Sequence, residues 1–389
     1  MIVVRRGAIA LALMAAAVAG CGGKKDKQQP AALKGSVTVG VLAPASGALQ
    51  ARGADLTDGA KLAVEELNAK GGVLGRKVEL GLVDDACEPY IAYEGAKSFM
   101  TAGADVIGVI GGACDEAAAR EIPTLDSTGK PFLVTSATAD ELVGQEAQST
   151  FLMNGTVYQQ ALSSVFWMNY EEVERLAVVQ DDSAESKSIA KQAVGLLDGQ
   201  PKLVSLQTLE PKGPKLSTLA KATIASKPDF VLWTGGAQEG GELIKALRAA
   251  GYDGKFTATA RSESPEFLSA AGEAGEGAIV MATSSPQNTP TAKTFRAAFT
   301  ARFKRDPGFD AQQAYDSVRT IAHAANKAKS LDGAKLVAKI TELDPQFVNS
   351  LGVVRFANDH TLLYDNRVIL KVKDGKFTWD RSLRTDSLG

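Results

Sequence analysis

The chain has 389 residues, of which 45% are hydrophobic and 23% charged, and its formal net charge at pH 7 is −2. This length exceeds one ordinary domain and allows two lobes with substantial cores. The near-neutral charge gives no global basic field of the kind that attracts nucleic acid. After residue 30, no apolar run in the sequence is long enough to span a membrane.

The first residues are organised like an export signal. Two arginines precede an apolar stretch at residues 7–18, and small residues then lead to Cys21. These parts are typical of secretion, and the cysteine directly after Ala-Gly predicts a bacterial lipoprotein signal over residues 1–20 with lipid on the Cys21 thiol. Several acyl chains give a stable membrane anchor, and residues 21–34 are expected to form a tether. The alternatives are a plain secretory signal and a hydrophobic terminal helix.

The cysteine count fits an oxidising compartment. If Cys21 carries lipid, Cys87 and Cys114 remain as an even pair. Joined, they would close a loop of about 28 residues, which is worth roughly 3–4 kcal/mol in the chain-entropy model. The alternative is that both are free, buried thiols.

From residue 36, short apolar runs alternate with segments of helical spacing, which Gly71 and Gly72 interrupt for the first time. In this first unit the sequence predicts strands at 37–42, 78–83, 105–110 and 132–135, and helices at 55–70, 89–101 and from 115 onward.

The pattern restarts after a hinge predicted near Asn154 and Gly155. The second unit has predicted strands at 176–179, 202–206, 230–233, 255–258 and 278–281, and helices at 186–197, 215–226 and 240–250. A helical block at 291–343 and strand-like segments at 353–356 and 367–372 follow. Strand–helix alternation of this kind favours parallel sheets covered by helices on both faces. The predicted fold class is therefore α/β, with two doubly wound parallel-sheet lobes joined by hinge crossovers.

Ligands of open parallel sheets collect outside the C-terminal ends of the strands. One loop predicted at that edge contains Ser136, Ala137 and Thr138 and precedes a helical segment. Its hydroxyl and backbone N–H groups suit a carboxylate.

Charged and small residues in the other strand-end loops complete the candidate site. Acidic side chains can meet an ammonium group, and arginines can meet an anion. Taken alone, each such residue also fits a helix cap or a solvated surface charge. The candidates are Asp115, Asp182 and Glu185 for the cation, Arg52 and Arg261 for the anion, and Gly236 in the loop beside them.

Signals for catalysis are weak. The chain has only two histidines, His323 in a helical segment and His360 in a turn near the C-terminus, which gives little support for a histidine triad or metal cluster. It has no Gly-x-Ser-x-Gly, P-loop or His-Glu-x-x-His motif. We therefore expect no catalytic residue, no metal and no cofactor.

A series of segments in fixed order is similar to a known family. The chain resembles the branched-chain amino-acid (Leu/Ile/Val-type) substrate-binding proteins of ABC importers, which are type I periplasmic binding proteins. The segments that carry the resemblance are residues 40–47, 59–72, 84–87, 111–114, 135–139, 229–231 and 314–316.

The resemblance implies a first lobe of residues 35–155 plus 284–355 and a second lobe of 156–283 plus 356–389. It also implies a disulfide between Cys87 and Cys114. In the family, segments that match Asp115 and residues 136–138 hold the α-carboxylate of the ligand. The expected partners are a small-molecule ligand, an ABC permease and, through the lipid anchor, the extracytoplasmic face of the membrane. We expect a monomer.

The sequence departs from the family around the ligand side chain. Arg52, Glu185 and Gly236 stand where branched-chain binders place aromatic residues, and the acidic residue expected for the α-ammonium aligns near Ala260, beside Arg261. These differences predict a ligand that is more polar or more anionic, such as a different amino acid, a small carboxylate or an amide.

Three other functions are compatible with parts of this pattern. A sensing lipoprotein would dock its liganded form on a signalling receptor. An extracytoplasmic enzyme would use the carboxylates of Asp115, Asp182 and Glu185, although no nucleophile motif accompanies them. A structural lipoprotein would leave the cleft without a ligand.

Overall fold

The computed structural model describes residues 34–383, except 102, 104, 145–146, 212, 214, 283–289, 345–346 and 364–366. The predicted signal at 1–20, Cys21 and nearly all of the predicted tether lie outside the described residues. Within the described part, no helix is long and apolar enough to cross a membrane.

Fourteen strands form the sheets of the described chain. They are β1 (Ser36–Ala43), β2 (Lys77–Asp84), β3 (Val106–Gly111), β4 (Phe132–Val134), β5 (Thr150–Leu152), β6 (Arg175–Asp181), β7 (Lys202–Leu209), β8 (Phe230–Trp233), β9 (Lys255–Ala258), β10 (Ile279–Ala282), β11 (Val348–Asn349), β12 (Gly352–Val353), β13 (Val368–Lys373) and β14 (Lys376–Ser382).

Eleven α-helices connect and cover these strands within the described residues. They are α1 (Gln50–Ala69), α2 (Pro89–Met100), α3 (Asp115–Asp126), α4 (Val157–Tyr170), α5 (Ala184–Gly195), α6 (Leu216–Ala225), α7 (Ala237–Ala249), α8 (Pro265–Ala271), α9 (Pro290–Phe303), α10 (Phe309–Ala328) and α11 (Gly333–Thr341).

The first lobe is built on a parallel sheet with the strand order β2-β1-β3-β4-β5. Its central strand β3 is buried along its whole length, as expected for an apolar strand covered on both faces. Helices α2 and α3 cover one face, while α1, α9, α10 and α11 cover the other. A Cβ at Gly59 in α1 would lie 2.0 Å from the carbonyl oxygen of Ala311 in α10, so these two helices cross at a contact that only glycine permits.

The second lobe is built on a seven-stranded sheet with the order β14-β13-β10-β9-β8-β6-β7. Strands β6 to β10 pair in parallel. Helices α4 and α5 cover one face, and α6, α7 and α8 cover the other. The predicted fold class of two parallel-sheet lobes is thus confirmed, with one addition. Strands β13 and β14 form an antiparallel edge, so the second sheet is mixed.

The chain passes between the lobes in three places. The first crossover, between β5 and α4, contains Asn154 and Gly155, where a hinge was predicted; Gly155 has a φ of +76°. The second, between β10 and α9, contains residues 283–289, which are not described.

The third crossover comes later than the sequence predicted. Phe356 and Leu362 are buried in the core of the first lobe, and the Phe356 ring lies 4.9 Å from that of Phe151 in β5. The predicted start of the second lobe at residue 356 is therefore wrong, because these apolar side chains stay on the first sheet until the chain reaches β13. The predicted strand at 353–356 is reduced to the short pairing of β11 with β12.

A disulfide joins Cys87 to Cys114, with a Cα–Cα distance of 5.7 Å. It ties the loop after β2 to the loop after β3, two strands that flank β1 in the sheet. The predicted pairing is confirmed. Because Cys114 immediately precedes α3, the bond also fixes the start of the helix that carries Asp115.

Candidate functional site

Loops at the C-terminal edges of both sheets meet across the cleft between the lobes. Thr138 follows β4 of the first lobe, and its hydroxyl donates a 3.1 Å hydrogen bond to the Glu185 carboxylate in α5 of the second lobe. A second contact between the lobes joins the Gln192 amide, also in α5, to the carboxylate of Asp140. The structure therefore places the predicted Thr138 and Glu185 in one site.

Arg52 lies in the first turn of α1 and is held by Asp310 from the first turn of α10. Its guanidinium nitrogens Nε and Nη2 each lie 2.9 Å from a carboxylate oxygen of Asp310. The same carboxylate accepts a 2.6 Å hydrogen bond from the Ser136 hydroxyl. The Asp310 charge raises the pKa of Arg52 above its ordinary value, against the opposing effect of burial. Asp310, which was not predicted from the sequence, thus links the two predicted residues Arg52 and Ser136.

The loop after β4 has its backbone donors satisfied within the protein. The N–H groups of Thr138 and Ala139 donate to Oδ1 of Asp115 at 2.7 and 3.0 Å. The N–H groups of Ser136 and Ala137 both donate to the carbonyl of Gly112. Burial raises the pKa of Asp115, and the two backbone hydrogen bonds oppose that rise. Asp115 therefore occupies the donors that the resemblance assigned to a ligand carboxylate.

The second lobe contributes a network around Arg261. One guanidinium nitrogen of Arg261 donates to the Ser183 hydroxyl at 2.7 Å and lies 3.4 Å from the Asp181 carboxylate. Another lies 3.4 Å from Glu185. The backbone N–H of Gly236, just before α7, donates to Asp181 at 2.9 Å. The predicted Gly236, Glu185 and Arg261 are thus brought together.

The pKa values of the two acids in this network shift in opposite directions. Burial raises the pKa of Asp181, but hydrogen bonds from Ser183 and the charge of Arg261 outweigh it, so the net shift is downward. Burial raises the pKa of Glu185; Arg261 opposes that rise and the charge of Asp115 reinforces it. Glu185 is therefore the acid whose charge is less well compensated.

The structure places the predicted Asp182 away from this network and its neighbour Asp181 within it. The Asp182 side chain is 51% exposed and pairs with Lys187 at the surface. Asp181 is the last residue of β6, and its side chain points toward Gly236 and Arg261. Successive side chains point to opposite sides of a strand. A shift of one residue therefore moves the predicted side chain from the cleft to the exposed surface.

Two further acidic residues were missed. Asp310 is 258 residues from Arg52 in sequence, and its position at the start of a helix also fits an ordinary helix cap, so no local signal singles it out. Glu263 follows the short turn Ala260–Ser262 that carries Arg261. Burial raises the pKa of Glu263 to about 8, although its side chain is partly exposed.

The histidines have structural surroundings. The His323 ring stacks on Phe347 with centroids 4.0 Å apart, and the His360 ring stacks on Phe151 at 4.3 Å. Nδ1 of His360 also lies 2.9 Å from the carbonyl oxygen of Thr150. Within the ranges that the structure describes, no group of three or more histidine, cysteine or acidic side chains is suited to hold a metal ion.

Comparisons with known proteins give a consistent match. A family model described as periplasmic binding protein matches residues 36–376. The Leu/Ile/Val-binding protein BraC3 of Rhizobium johnstonii is 26% identical over 343 residues, which cover 87% of this chain and 92% of the relative.

Solved structures show the same fold. The branched-chain amino-acid transporter substrate-binding protein LivJ of Streptococcus pneumoniae, in complex with isoleucine, has a TM-score of 0.78 at 24% identity and covers 90% of this chain and 99% of its own. A solute-binding protein of an ABC transporter from R. palustris, in complex with benzoate, has a TM-score of 0.74 at 21% identity and covers 90% and 96%.

Proposed function

Because the chain belongs to the periplasmic binding protein family, we propose that it is the lipid-anchored receptor of an ABC importer and captures an amino acid or a similar small polar solute between its lobes. With its family and its Leu/Ile/Val-binding relatives, the chain is an extracytoplasmic solute-binding protein of ABC import and not an enzyme. The lipid anchor on Cys21 and the nature of the solute are proposed.

One observation carries the assignment of the cleft as the binding site. The hydrogen bond between Thr138 and Glu185 joins the two lobes at the place where the strand-end loops of both sheets meet. Around it lie Arg52, Asp115 and Arg261, all partly exposed. Charged groups that are close to each other and still reached by solvent provide the few oriented polar contacts that a small ligand needs.

The proposed mechanism is closure of the lobes on the solute. The crossover that contains Asn154 and Gly155 acts as a hinge, and the solute contacts both lobes only when they are close together. A ligand shifts such an equilibrium only by its preference for the closed state. The closed form would then present one continuous surface to the permease.

The side chains at the cleft, and not the related structures, support a solute other than leucine, isoleucine or valine. One neighbour holds isoleucine and another holds benzoate, so this fold accepts chemically different ligands. In the present chain, the residues brought together at the cleft are mainly charged or hydroxyl-bearing. Such a lining favours a polar ligand, because an apolar side chain would leave these groups desolvated and unpaired.

The test is identification of the captured solute. Small molecules released from the purified chain are identified by mass spectrometry, and their affinities are measured by calorimetry. Thr138→Val is expected to weaken binding by about 1–3 kcal/mol, because it leaves a polar partner in the cleft unpaired. The matched control is Thr341→Val, at the exposed end of α11. Unchanged affinity of Thr138→Val would place the site elsewhere.

The proposed anchor is tested separately. Cys21→Ser removes the thiol that the lipid would occupy, so the protein should leave the membrane fraction and appear in the soluble extracytoplasmic fraction. A membrane-bound Cys21→Ser protein would contradict lipidation at this residue without affecting the proposal for the cleft.

A further inference from the structure

We propose that the cleft selects its solute by a cationic nitrogen, an ammonium or amidinium group, and not by a carboxylate. This inference rests on the proposed function and specifies the chemical class of the solute. It depends on three features of the described residues: the acceptors of the backbone N–H groups, the partners of the two arginines, and the excess of carboxylates over guanidinium groups at the cleft.

The loop that the family resemblance assigned to a ligand carboxylate has no free backbone donor between Thr135 and Ala139. Thr135 donates to Gly111 at 2.7 Å, and the next two residues donate to Gly112. The last two donate to Asp115. A ligand carboxylate could bind these N–H groups only by displacing the carboxylate of Asp115. Because Asp115 is part of the chain and already oriented toward them, it competes more strongly than a free ligand.

Both arginines at the cleft already have carboxylate partners. Arg52 forms a two-pronged pair with Asp310, which is the strong geometry for a guanidinium. Arg261 lies between Asp181 and Glu185. Each guanidinium group therefore has its charge opposed by a carboxylate of the protein, with which an anionic solute would have to compete.

The remaining charge at the cleft is negative. Four carboxylates, those of Asp115, Asp181, Glu185 and Asp310, accompany two guanidinium groups. The electrostatic effect of Asp115 reaches Glu185 across the cleft and raises its pKa. These two acids belong to different lobes, and the guanidinium groups of Arg52 and Arg261 act on Glu185 in the opposite sense. Because the four carboxylates outnumber the two guanidinium groups, closure still brings together a set of groups with net negative charge.

A cationic solute would offset that negative charge and donate hydrogen bonds to both carboxylates at once. Its affinity would therefore be greater for the closed form than for the open form, which is the condition for ligand-driven closure.

The experiment offers the purified full chain an equimolar mixture of matched compounds. The mixture contains the common amino acids, their C-terminal amides, their N-acetyl derivatives and the corresponding decarboxylated amines. After dialysis, retained compounds are identified by mass spectrometry and their affinities are measured by calorimetry. We expect amides or amines to be retained at least tenfold more tightly than the N-acetyl acids, which carry the carboxylate without the cation.

Two variants test the role of individual residues. Asp115→Ser frees the N–H groups of Thr138 and Ala139, so affinity for the cationic compounds should fall at least tenfold while carboxylate-bearing analogues gain affinity. Glu185→Gln keeps an acceptor for the Thr138 hydroxyl but removes the charge, and it should cause a similar loss for cations even if Asp115→Ser fails to fold. The matched control is Asp182→Ser, whose side chain lies at the surface and which should retain wild-type affinities.

The outcomes distinguish failure of the cationic selection from failure of the solute-binding function. Tightest retention of an N-acetyl acid, or cation affinities that survive both Asp115→Ser and Glu185→Gln, would overturn the cationic selection and leave the solute-binding function in place. Failure to retain any compound, from this mixture or from a periplasmic extract, would overturn the proposed function and this inference with it.

Discussion

Two acidic pairs in this chain have raised pKa values, but their surroundings differ. Asp85 and Glu121 are completely buried inside the first lobe, and neither pKa shift includes a contribution from a cation. Asp115 and Glu185 belong to different lobes, remain partly exposed and lie near Arg52. The sealed pair is placed next to the disulfide, since the Asp85 carboxylate accepts a hydrogen bond from the backbone of Cys87.

The comparison separates the effect of burial on the pKa of a carboxyl group from the access to a ligand that a cleft provides. In the sealed pair, burial and the charge of Asp85 raise the pKa of Glu121 well above its ordinary value. Both carboxyl groups are sealed from solvent, so a ligand cannot reach this pair. In the cleft, the groups are accessible, and a ligand can supply the missing positive charge.

The largest expected effect comes from loosening the sealed region while leaving the cleft charges unchanged. Cys87→Ala combined with Cys114→Ala should lower the free energy of unfolding by about 3–4 kcal/mol, because the disulfide restricts the unfolded chain. Urea unfolding of the oxidised wild type and of the double variant measures this loss. The reduced wild type is the control and should show the same loss. A difference below about 1 kcal/mol would contradict the expected contribution of the bond.

The next effect is a pH dependence that belongs to the sealed pair. Because the folded-state pKa values of Asp85 and Glu121 are both raised, the folded chain holds more protons than the unfolded chain. Their contribution to stability is fully present below about pH 4, where the unfolded groups titrate, and it is lost as pH rises through the folded pKa values. Each unit of upward shift is worth about 1.4 kcal/mol.

Asp85→Asn combined with Glu121→Gln should therefore reduce the loss of stability between pH 5 and pH 8 relative to the wild type. Chemical unfolding at both pH values measures the difference. Other carboxyl groups with raised pKa values, such as Asp316 at about 6, remain in both proteins and cancel in the comparison. Identical pH slopes for the two proteins would refute the assignment.

A smaller effect is expected from an ion pair on the cleft side. Arg52→Leu removes both hydrogen bonds to Asp310 and should cost about 1 kcal/mol of stability, since the arginine side chain is 40% exposed and solvent screens the pair. Arg302→Leu breaks the more exposed pair with Glu65 and serves as the control, with a smaller loss. Equal losses in thermal unfolding would show that the pairing with Asp310 has no special role.

The smallest effect is expected at Asp182. Asp182→Ser removes an exposed ion pair with Lys187, so its stability should stay within about 0.5 kcal/mol of the wild type. Calorimetry should also find its ligand affinity unchanged. A large loss of affinity would show that Asp182, and not only Asp181, contributes to ligand binding.

Much of the fold could be predicted because its signals are local. The apolar runs of β1, β3 and β8 and the glycines that end α1 stand out in the sequence. Helix α4 was missed because it buries Ser163 and Ser164 together with Trp167, so its polar and apolar positions do not separate into two faces. Strand β14 was missed because it is an edge strand with exposed and charged side chains, which lack the alternation of a buried strand.

The site was predictable only in outline. The loop containing Thr138 and the charges of Arg52, Glu185 and Arg261 could be found from their position after strands, and the structure brings them together. Their partners could not, because the pairing of Arg52 with Asp310 and of Asp115 with the backbone of Thr138 depends on tertiary contacts. Those contacts decide which charges are available, and on them rests the proposal of a cationic group where the sequence predicted a more polar or more anionic ligand.

The most direct test of lobe closure is small-angle X-ray scattering of the wild-type chain before and after addition of the solute that it captures. Closure of the two lobes around the hinge predicts a smaller radius of gyration in the presence of the solute, and a smaller change for Glu185→Gln at a solute concentration that saturates only the wild type. Identical scattering of the wild-type chain with and without a solute that it demonstrably retains would contradict the account.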